Sequence, residues 1–199
     1  MNDVTTKEFI VGYTDVLHFT HLYRINPSGI MEKMKAIWTR AKNEFVCKNF
    51  ASYGRDSQIL SIFDSIWFRI HIDTEVPHAP NGDPVELLPD VLELVYSYHS
   101  EAKNNGLDLV TALAIGHLYI DEAERIKHIQ PETTSAIADT IFSLGEPQIQ
   151  CALAMKSKIP PNGIELCQSL ERRIVKNGFE VDCDKFQMNK QTRYFLLPK

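Results

Sequence analysis

Two aspartates occupy positions where a charged side chain is unusual. Asp15 comes soon after the strand-forming residues 9–13 and is followed by further apolar residues. Asp64 stands between two apolar, alternating segments, residues 59–62 and 66–72. A buried carboxylate without a partner costs several kcal/mol, so each aspartate needs a cation, hydrogen bonds or a turn beside it. A divalent metal ion is one such partner.

The two aspartates would meet if the strand before Asp15 pairs beside a hairpin that has Asp64 at its tip. Carboxylate pairs of this kind hold two Mg²⁺ or Mn²⁺ ions about 3.5–4 Å apart, which activate a hydroxyl group and neutralise phosphate charge. Such a pair is suited to phosphoryl transfer. Two simpler interpretations stay open, because an Asp after a strand often caps a turn or helix and an Asp in a hairpin often forms the turn.

The composition is that of an ordinary globular protein. With 199 residues, of which 44% are hydrophobic and 24% charged, the chain is predicted to form one domain over residues 1–199. Its net charge of −5 argues against a broad surface for binding nucleic acid.

The sequence gives no sign of a membrane segment. Apolar segments stay well short of the roughly 20 residues that span a bilayer, and the start MNDVTTKEF does not resemble a signal peptide. The cysteines form no CxxC pair and fit small buried side chains in a reducing compartment; they are Cys47, Cys151, Cys167 and Cys183. We therefore expect a cytoplasmic protein.

Strands and helices alternate along the chain, which predicts an α/β or α+β sandwich of helices on one mixed sheet. Gly116 lies in an apolar strand and indicates the close approach of another backbone or a ligand. The predicted strands cover residues 9–13, the hairpin within 51–72, 107–120, 164–168, 179–188 and 192–198. The predicted helices cover residues 29–49, 85–104, 146–158 and 169–177, and residues 121–146 are expected to be irregular.

The segment FIVGYTDVLHFTHL resembles the opening motif of class III nucleotidyl cyclases. In that family a strand is followed by Asp-Ile-x-x-Phe-Thr, and the matching residues here are Asp15, Val16, Phe19 and Thr20. The resemblance makes Asp15 a metal ligand.

Three later segments continue the resemblance in the same order. LSIFDSIWF is similar to the second metal-binding hairpin, where the family has Ile-Gly-Asp and this chain ends the motif on Asp64. LVTALAIGHLYI looks like a strand with two family glycines, of which Gly116 survives. In KFQMNKQTRYFLLPK, Lys190 precedes a Tyr-Phe-Leu strand, as does the family lysine that touches the triphosphate.

The resemblance implies a ferredoxin-like, palm-type sheet and a cyclising reaction. The 3′-hydroxyl of a nucleoside triphosphate attacks its own α-phosphate and releases pyrophosphate. Two Mn²⁺ or Mg²⁺ ions would be held by Asp15, Asp64 and the Val16 carbonyl. The β- and γ-phosphates would lie on the backbone amides of Leu17, His18, Phe19 and Thr20, with Lys190 nearby. The family assembles its sites at the interface of a head-to-tail homodimer, so the expected partner is a second copy.

The residues that read a purine base in this family are absent. Leu60 stands where purine cyclases have Lys or Glu, and Phe142 stands where they have a polar residue, often Asp. Their transition-state Asn and Arg have no counterpart after Gly145; Gln148, Gln150 and Lys156 are the polar residues offered instead.

Two interpretations follow from these departures: a degenerate cyclase fold that binds nucleotide without turnover, or an enzyme with a rebuilt base pocket. The second is similar to the uridylate and cytidylate cyclases of bacterial antiphage systems (Pycsar), and both metal carboxylates and Lys190 favour it. We expect UTP as substrate, then CTP, with a separate effector reached through the cyclic nucleotide. Tyr53 and Arg55 are candidate base contacts. A purine cyclase and a palm-type polymerase or cyclic-dinucleotide synthase are the further alternatives.

Overall fold

A computed structural model of the chain describes residues 4–50, 57–71, 84–121, 143–178, 184–188 and 191–196. The strands are β1 (Val4–Val16), β2 (Gln58–Ile62), β3 (Ser65–His71), β4 (Leu109–Asp121), β5 (Ser143–Gly145), β6 (Ile164–Leu166), β7 (Asp184–Met188) and β8 (Gln191–Leu196). The helices are α1 (Phe19–Ile25), α2 (Pro27–Cys47), α3 (Leu88–Asn104), α4 (Glu146–Lys156) and α5 (Gln168–Asn177), and a 3₁₀ turn (Pro84–Leu87) precedes α3. No helix of these described ranges has the length and hydropathy to cross a membrane.

The strands form one mixed sheet in the order β2-β3-β1-β4-β6-β8-β7, and β5 pairs with β4. β4 and β6 run parallel, whereas the other pairs are antiparallel. β1 lies between β3 and β4 and pairs with β4 along all thirteen of its residues. The end of β1 is therefore held from both sides.

Helices cover both faces of the sheet because alternate residues of β1 point to opposite faces. Ile10 belongs to the core that packs under α2, α3 and α5, for example against Ile37 and Leu94. Val11 belongs to the core under α4, with Ala112 and Cys151. The predicted mixed sheet with packed helices is confirmed.

Most predicted elements are present with shifted ends, and four elements differ further from the prediction. β1 is longer than residues 9–13, α4 stops at Lys156, and α1 and β5 were not predicted. α1 buries none of its seven residues, so no apolar periodicity reveals it. α4 ends early because Ser157 is extended and prolines follow. Most of the segment predicted to be irregular lies outside the described residues.

Gly116 is closely approached, as predicted, but by a proline ring rather than by another backbone or a ligand. Pro147 of α4 packs over this glycine, and a Cβ at position 116 would lie 3.2 Å from Pro147 Cδ. The absence of a side chain at Gly116 thus lets the first turn of α4 contact the sheet.

Gly12 lies on the face of the sheet opposite to Gly116, and its missing side chain leaves the space that the buried ring of Phe68 occupies. The two residues pair directly between β1 and β3, and a Cβ at position 12 would lie 2.1 Å from Phe68 Cζ. Since the ring is fully buried, we expect Gly12→Ala to lower the free energy of unfolding by about 1–3 kcal/mol, measured by urea denaturation. The double variant Gly12→Ala/Phe68→Leu should recover part of the loss, and no recovery would contradict this packing explanation.

Candidate active site

Strand register brings Asp15 and Asp64 together. Asp15 pairs with Ser65 across β1 and β3, and residues 63 and 64 form the two-residue turn between β2 and β3. Asp64 therefore lies at the end of the strand next to Asp15, close enough that its carboxylate raises the pKa of the Asp15 carboxyl. Both side chains are half-buried, so water reaches them from one side.

The charge on Asp15 is poorly compensated by its described surroundings. Burial raises the pKa of this carboxyl, and the neighbouring Asp64 carboxylate raises it further. The Ser65 hydroxyl and the Val16 amide donate hydrogen bonds that lower the pKa, but the net direction is upward. A divalent cation between the two carboxylates would relieve both the burial cost and the repulsion. Carboxylate oxygens are also the ligands that Mg²⁺ and Mn²⁺ prefer.

Ser65 orients Asp15, and it was not predicted from the sequence. Its Oγ donates to Asp15 Oδ1 at 3.2 Å and lies 3.1 Å from the Tyr13 hydroxyl. Because the one serine proton is used on Asp15, the tyrosine must donate to the serine oxygen. The signal for Ser65 is its register opposite Asp15, which appears only once β1 and β3 are paired.

A buried polar network fixes the same end of β1 from behind. The Thr14 hydroxyl is hydrogen-bonded to the Tyr98 hydroxyl at 2.8 Å and to the Thr111 hydroxyl at 2.7 Å. His99 Nε2 is hydrogen-bonded to the Thr111 hydroxyl at 2.8 Å, whereas His99 Nδ1 has no partner among the described residues. Burial lowers the pKa of His99 to about 3. The network ties β1 to β4 and α3 directly beside Asp15.

The turn after β1 offers amides to an anion, but not all four of the predicted ones. The Leu17 amide donates to the Asp108 carbonyl at 2.9 Å, so strand pairing already uses it. His18 has a left-handed backbone with φ of 61°, and α1 begins at Phe19. The amides of Phe19 and Thr20 lie in the first turn of this helix, where the helix itself supplies no acceptor.

Gln148, Gln150 and Lys156 are the polar residues that follow Gly145 where the family has its transition-state Asn and Arg, and both glutamines have structural contacts of their own. Gln148 Oε1 accepts from the Gly145 amide at 3.1 Å and caps α4. Gln150 Nε2 donates to Glu146 Oε1 at 2.9 Å. Lys156 is exposed at the rim of an open pocket of about 570 Å³, whose wall includes Leu17. Lys156 thus shares this pocket with Leu17 of the turn that follows β1.

Of the residues predicted to contact a base, Leu60 is the one that the structure describes. Leu60 lies on β2, half-buried and opposite the half-buried Trp67 of β3. Tyr53, Arg55, Phe142 and Lys190, which the sequence suggested for base and phosphate contacts, lie outside the described residues. Within the ranges that the structure describes, no group of three or more His, Cys, Asp or Glu side chains could hold a metal ion. A metal site here would rest on the two aspartates and backbone or substrate oxygens.

Comparison with known proteins gives structural matches alone. No family model matches the chain, and no curated protein matches it. The guanylyl cyclase domain of the RhoGC fusion protein from the aquatic fungus Blastocladiella emersonii, in its monomeric form, superposes with a TM-score of 0.64 at 12% identity. The match covers 98% of this chain and 98% of that chain.

Two further structures give the same fold. A dimeric form of the Blastocladiella emersonii domain matches with a TM-score of 0.63 at 11% identity, over 100% of this chain and 98% of that chain. A class III adenylyl cyclase-like ATP-binding protein from Pseudomonas aeruginosa matches with a TM-score of 0.53 at 12% identity, over 89% of this chain and 37% of that chain. The chain thus has the fold of class III nucleotidyl cyclase domains.

Proposed function

We propose that this protein is a metal-dependent nucleotidyl cyclase that forms a 3′,5′-cyclic monophosphate and pyrophosphate from a pyrimidine nucleoside triphosphate. UTP is the favoured substrate and CTP the next. The observation that carries the proposal is the proximity of Asp15 and Asp64, two half-buried carboxylates whose mutual charge is under-compensated. That pair lies on the fold of class III nucleotidyl cyclase domains.

Each residue of the site then has a defined task. Asp15 and Asp64, with the Val16 carbonyl, would hold two Mn²⁺ or Mg²⁺ ions, which supply charge neutralisation and activation of the 3′-hydroxyl. The amides of His18, Phe19 and Thr20 orient the β- and γ-phosphates. Lys190 neutralises the same phosphates in the proposal, as the resemblance implies.

The preference for a pyrimidine rests on residue types. Leu60 has no hydrogen-bonding group with which to read a purine, and Phe142 likewise replaces a polar reader. Tyr53 and Arg55 are retained as candidate donors to a pyrimidine carbonyl. The structures that share the fold are named as a guanylyl cyclase and an adenylyl cyclase-like protein, so the pyrimidine part stands on this chain's own residues.

We further propose that the active form is a homodimer. α4 presents Ile149 and Leu153, 52% and 59% exposed, one turn apart on the helix surface. Apolar side chains in this position are suited to contact with a second copy. In this proposal residues 1–199 form a single cytoplasmic catalytic domain with sites at the interface between copies. The cyclic nucleotide acts as a messenger to a separate effector in antiphage defence.

A second candidate function has a specific observation in its favour. Gln148 and Gln150 make contacts within and beside α4 and leave no evident replacement for the transition-state Asn. A protein with this fold is named as ATP-binding. Under this alternative the chain binds nucleotide without turnover, and nucleotide raises the melting temperature without release of pyrophosphate.

One assay separates these functions. The purified protein is incubated with Mn²⁺ and each of the four nucleoside triphosphates, and products are identified by mass spectrometry. A cyclic nucleotide from UTP or CTP is the expected result. A product from ATP or GTP alone would refute the pyrimidine assignment, and the absence of any cyclic product would refute the cyclase.

Ser65 gives a prediction about metal affinity. Ser65→Ala removes the hydrogen bond that orients the Asp15 carboxylate, so we expect Mn²⁺ to bind about 10-fold more weakly, as measured by calorimetry. Ser65→Thr keeps the hydroxyl and serves as the matched control. Equal loss of affinity in both variants would show that the hydroxyl has no part in orienting Asp15.

A further inference from the structure

Phe63 stands in a conformation that phenylalanine rarely adopts. It is the first residue of the two-residue turn between β2 and β3, and its φ is +54°. Tight turns of this kind place glycine at a position with positive φ, because a Cβ there crowds the backbone. A bulky residue with positive φ is a genuine outlier.

The side chain of Phe63 gains nothing from packing that would offset this strain. It is 90% exposed, the largest exposure among the large apolar side chains of the described residues. Its neighbour Ile62 is 53% exposed, so the hairpin ends in an apolar tip. Backbone strain of this kind clusters at active sites and at segments that clamp a ligand.

The location of the ring indicates which ligand. Phe63 directly precedes Asp64, whose carboxylate lies close to that of Asp15, so the apolar tip borders the place where a metal-bound triphosphate would lie. The only large apolar surface of such a ligand is the face of its base. An aromatic ring stacks on any base face and needs no matching hydrogen bonds.

We infer that the Phe63 ring packs against the base of the nucleotide bound at Asp15 and Asp64. The inference rests on the proposed nucleotide site and adds a residue that sets affinity for the base. It explains why the turn keeps a strained aromatic residue where glycine would fold more easily. A contact between the apolar tip and a second copy of the chain is the competing explanation, and the test includes it.

The test uses Phe63→Gly, which removes the ring and also relieves the backbone strain. We expect this variant to melt at a higher temperature and yet to bind the Mn²⁺ complex of α,β-methylene-UTP about 10-fold more weakly by calorimetry. Phe63→Trp should bind like the unchanged protein. Val175→Ala removes a side chain that is 72% exposed on α5, and it is the matched control with unchanged affinity.

Each outcome is decisive. Unchanged affinity in Phe63→Gly would overturn the inference, as would a loss of affinity that sedimentation velocity attributes to loss of a dimer. If no cyclic nucleotide forms but Phe63→Gly still weakens binding of the analogue, the inference stands and the cyclase proposal fails. If the cyclase is active and the variant keeps its KM, the cyclase stands and the inference fails. No binding of the analogue by the unchanged protein would overturn both.

Discussion

Replacing either aspartate of the pair by asparagine is expected to abolish turnover while leaving the metal-free protein at least as stable. Asp15→Asn and Asp64→Asn each remove a metal ligand, and we expect kcat to fall by more than about 100-fold. The same changes remove the repulsion between the two neighbouring carboxylates. In the unchanged protein this repulsion adds to burial in raising the pKa of Asp15. Loss of activity and gain of metal-free stability should therefore occur together, as in other sites where function opposes stability.

Two measurements check this prediction in parallel. Cyclic nucleotide formation gives kcat, and thermal unfolding with and without Mn²⁺ gives the stabilisation by the ion. Mn²⁺ should raise the melting temperature of the unchanged protein and leave that of both variants unaltered. Asp108→Asn is the control, because this exposed carboxylate near the end of β1 accepts from Asn162 Nδ2 and lies outside the pair. Activity retained in either variant would remove that aspartate from the site.

Acid is expected to destabilise the protein through His99. Burial lowers the pKa of His99 from 6.5 to about 3 in the folded protein, so the ring stays neutral there while the unfolded chain takes up a proton. The contribution of His99 is complete above pH 6.5 and is lost as the pH falls from there toward 3. Within that window each unit of decrease in pH lowers the free energy of unfolding by about 1.4 kcal/mol through this one group.

Urea denaturation at a series of pH values measures the slope. We compare the unchanged protein with His99→Gln, which cannot take up the proton, and with His21→Gln, which changes an exposed histidine. The slope of unfolding free energy between pH 6 and 4 should be smaller in His99→Gln alone. Asp15 acts in the opposite direction, since its folded pKa is raised, but it is the same in all three proteins. Equal slopes would show that burial does not keep His99 neutral in the folded protein.

The order of strands and helices could be predicted from the sequence because the spacing of apolar residues and the turn-forming residues are local signals. The hairpin with Asp64 at its tip and the helix predicted over residues 29–49 follow from such signals, and so does tight packing at Gly116, though not the identity of the residue that packs there. The fold class followed too, since strands and helices alternate. The proximity of Asp15 and Asp64 needed one further step, the pairing of β1 with β3.

Features that depend on cross-strand register could not be predicted. Ser65 is an ordinary residue until it lies opposite Asp15, and the fit of Phe68 over Gly12 exists only between paired strands. The network around Thr111 joins residues from β1, β4 and α3 that have no common spacing. The amide of Leu17 looked available for phosphate because its partner, the Asp108 carbonyl, is distant in sequence.

The position of β1 between two strands has a consequence for local unfolding. Amides on both sides of β1 bond to a neighbouring strand, so they exchange with solvent only when the whole sheet opens. Asp64 lies instead in the two-residue turn between β2 and β3. In the described sheet order β2 is an edge strand, and β3 is its one neighbour. The two carboxylates thus belong to parts of the molecule with different opening free energies. One half of the pair is fixed to a strand that is paired on both sides, and the other half lies in a turn that can adjust to what the pair binds.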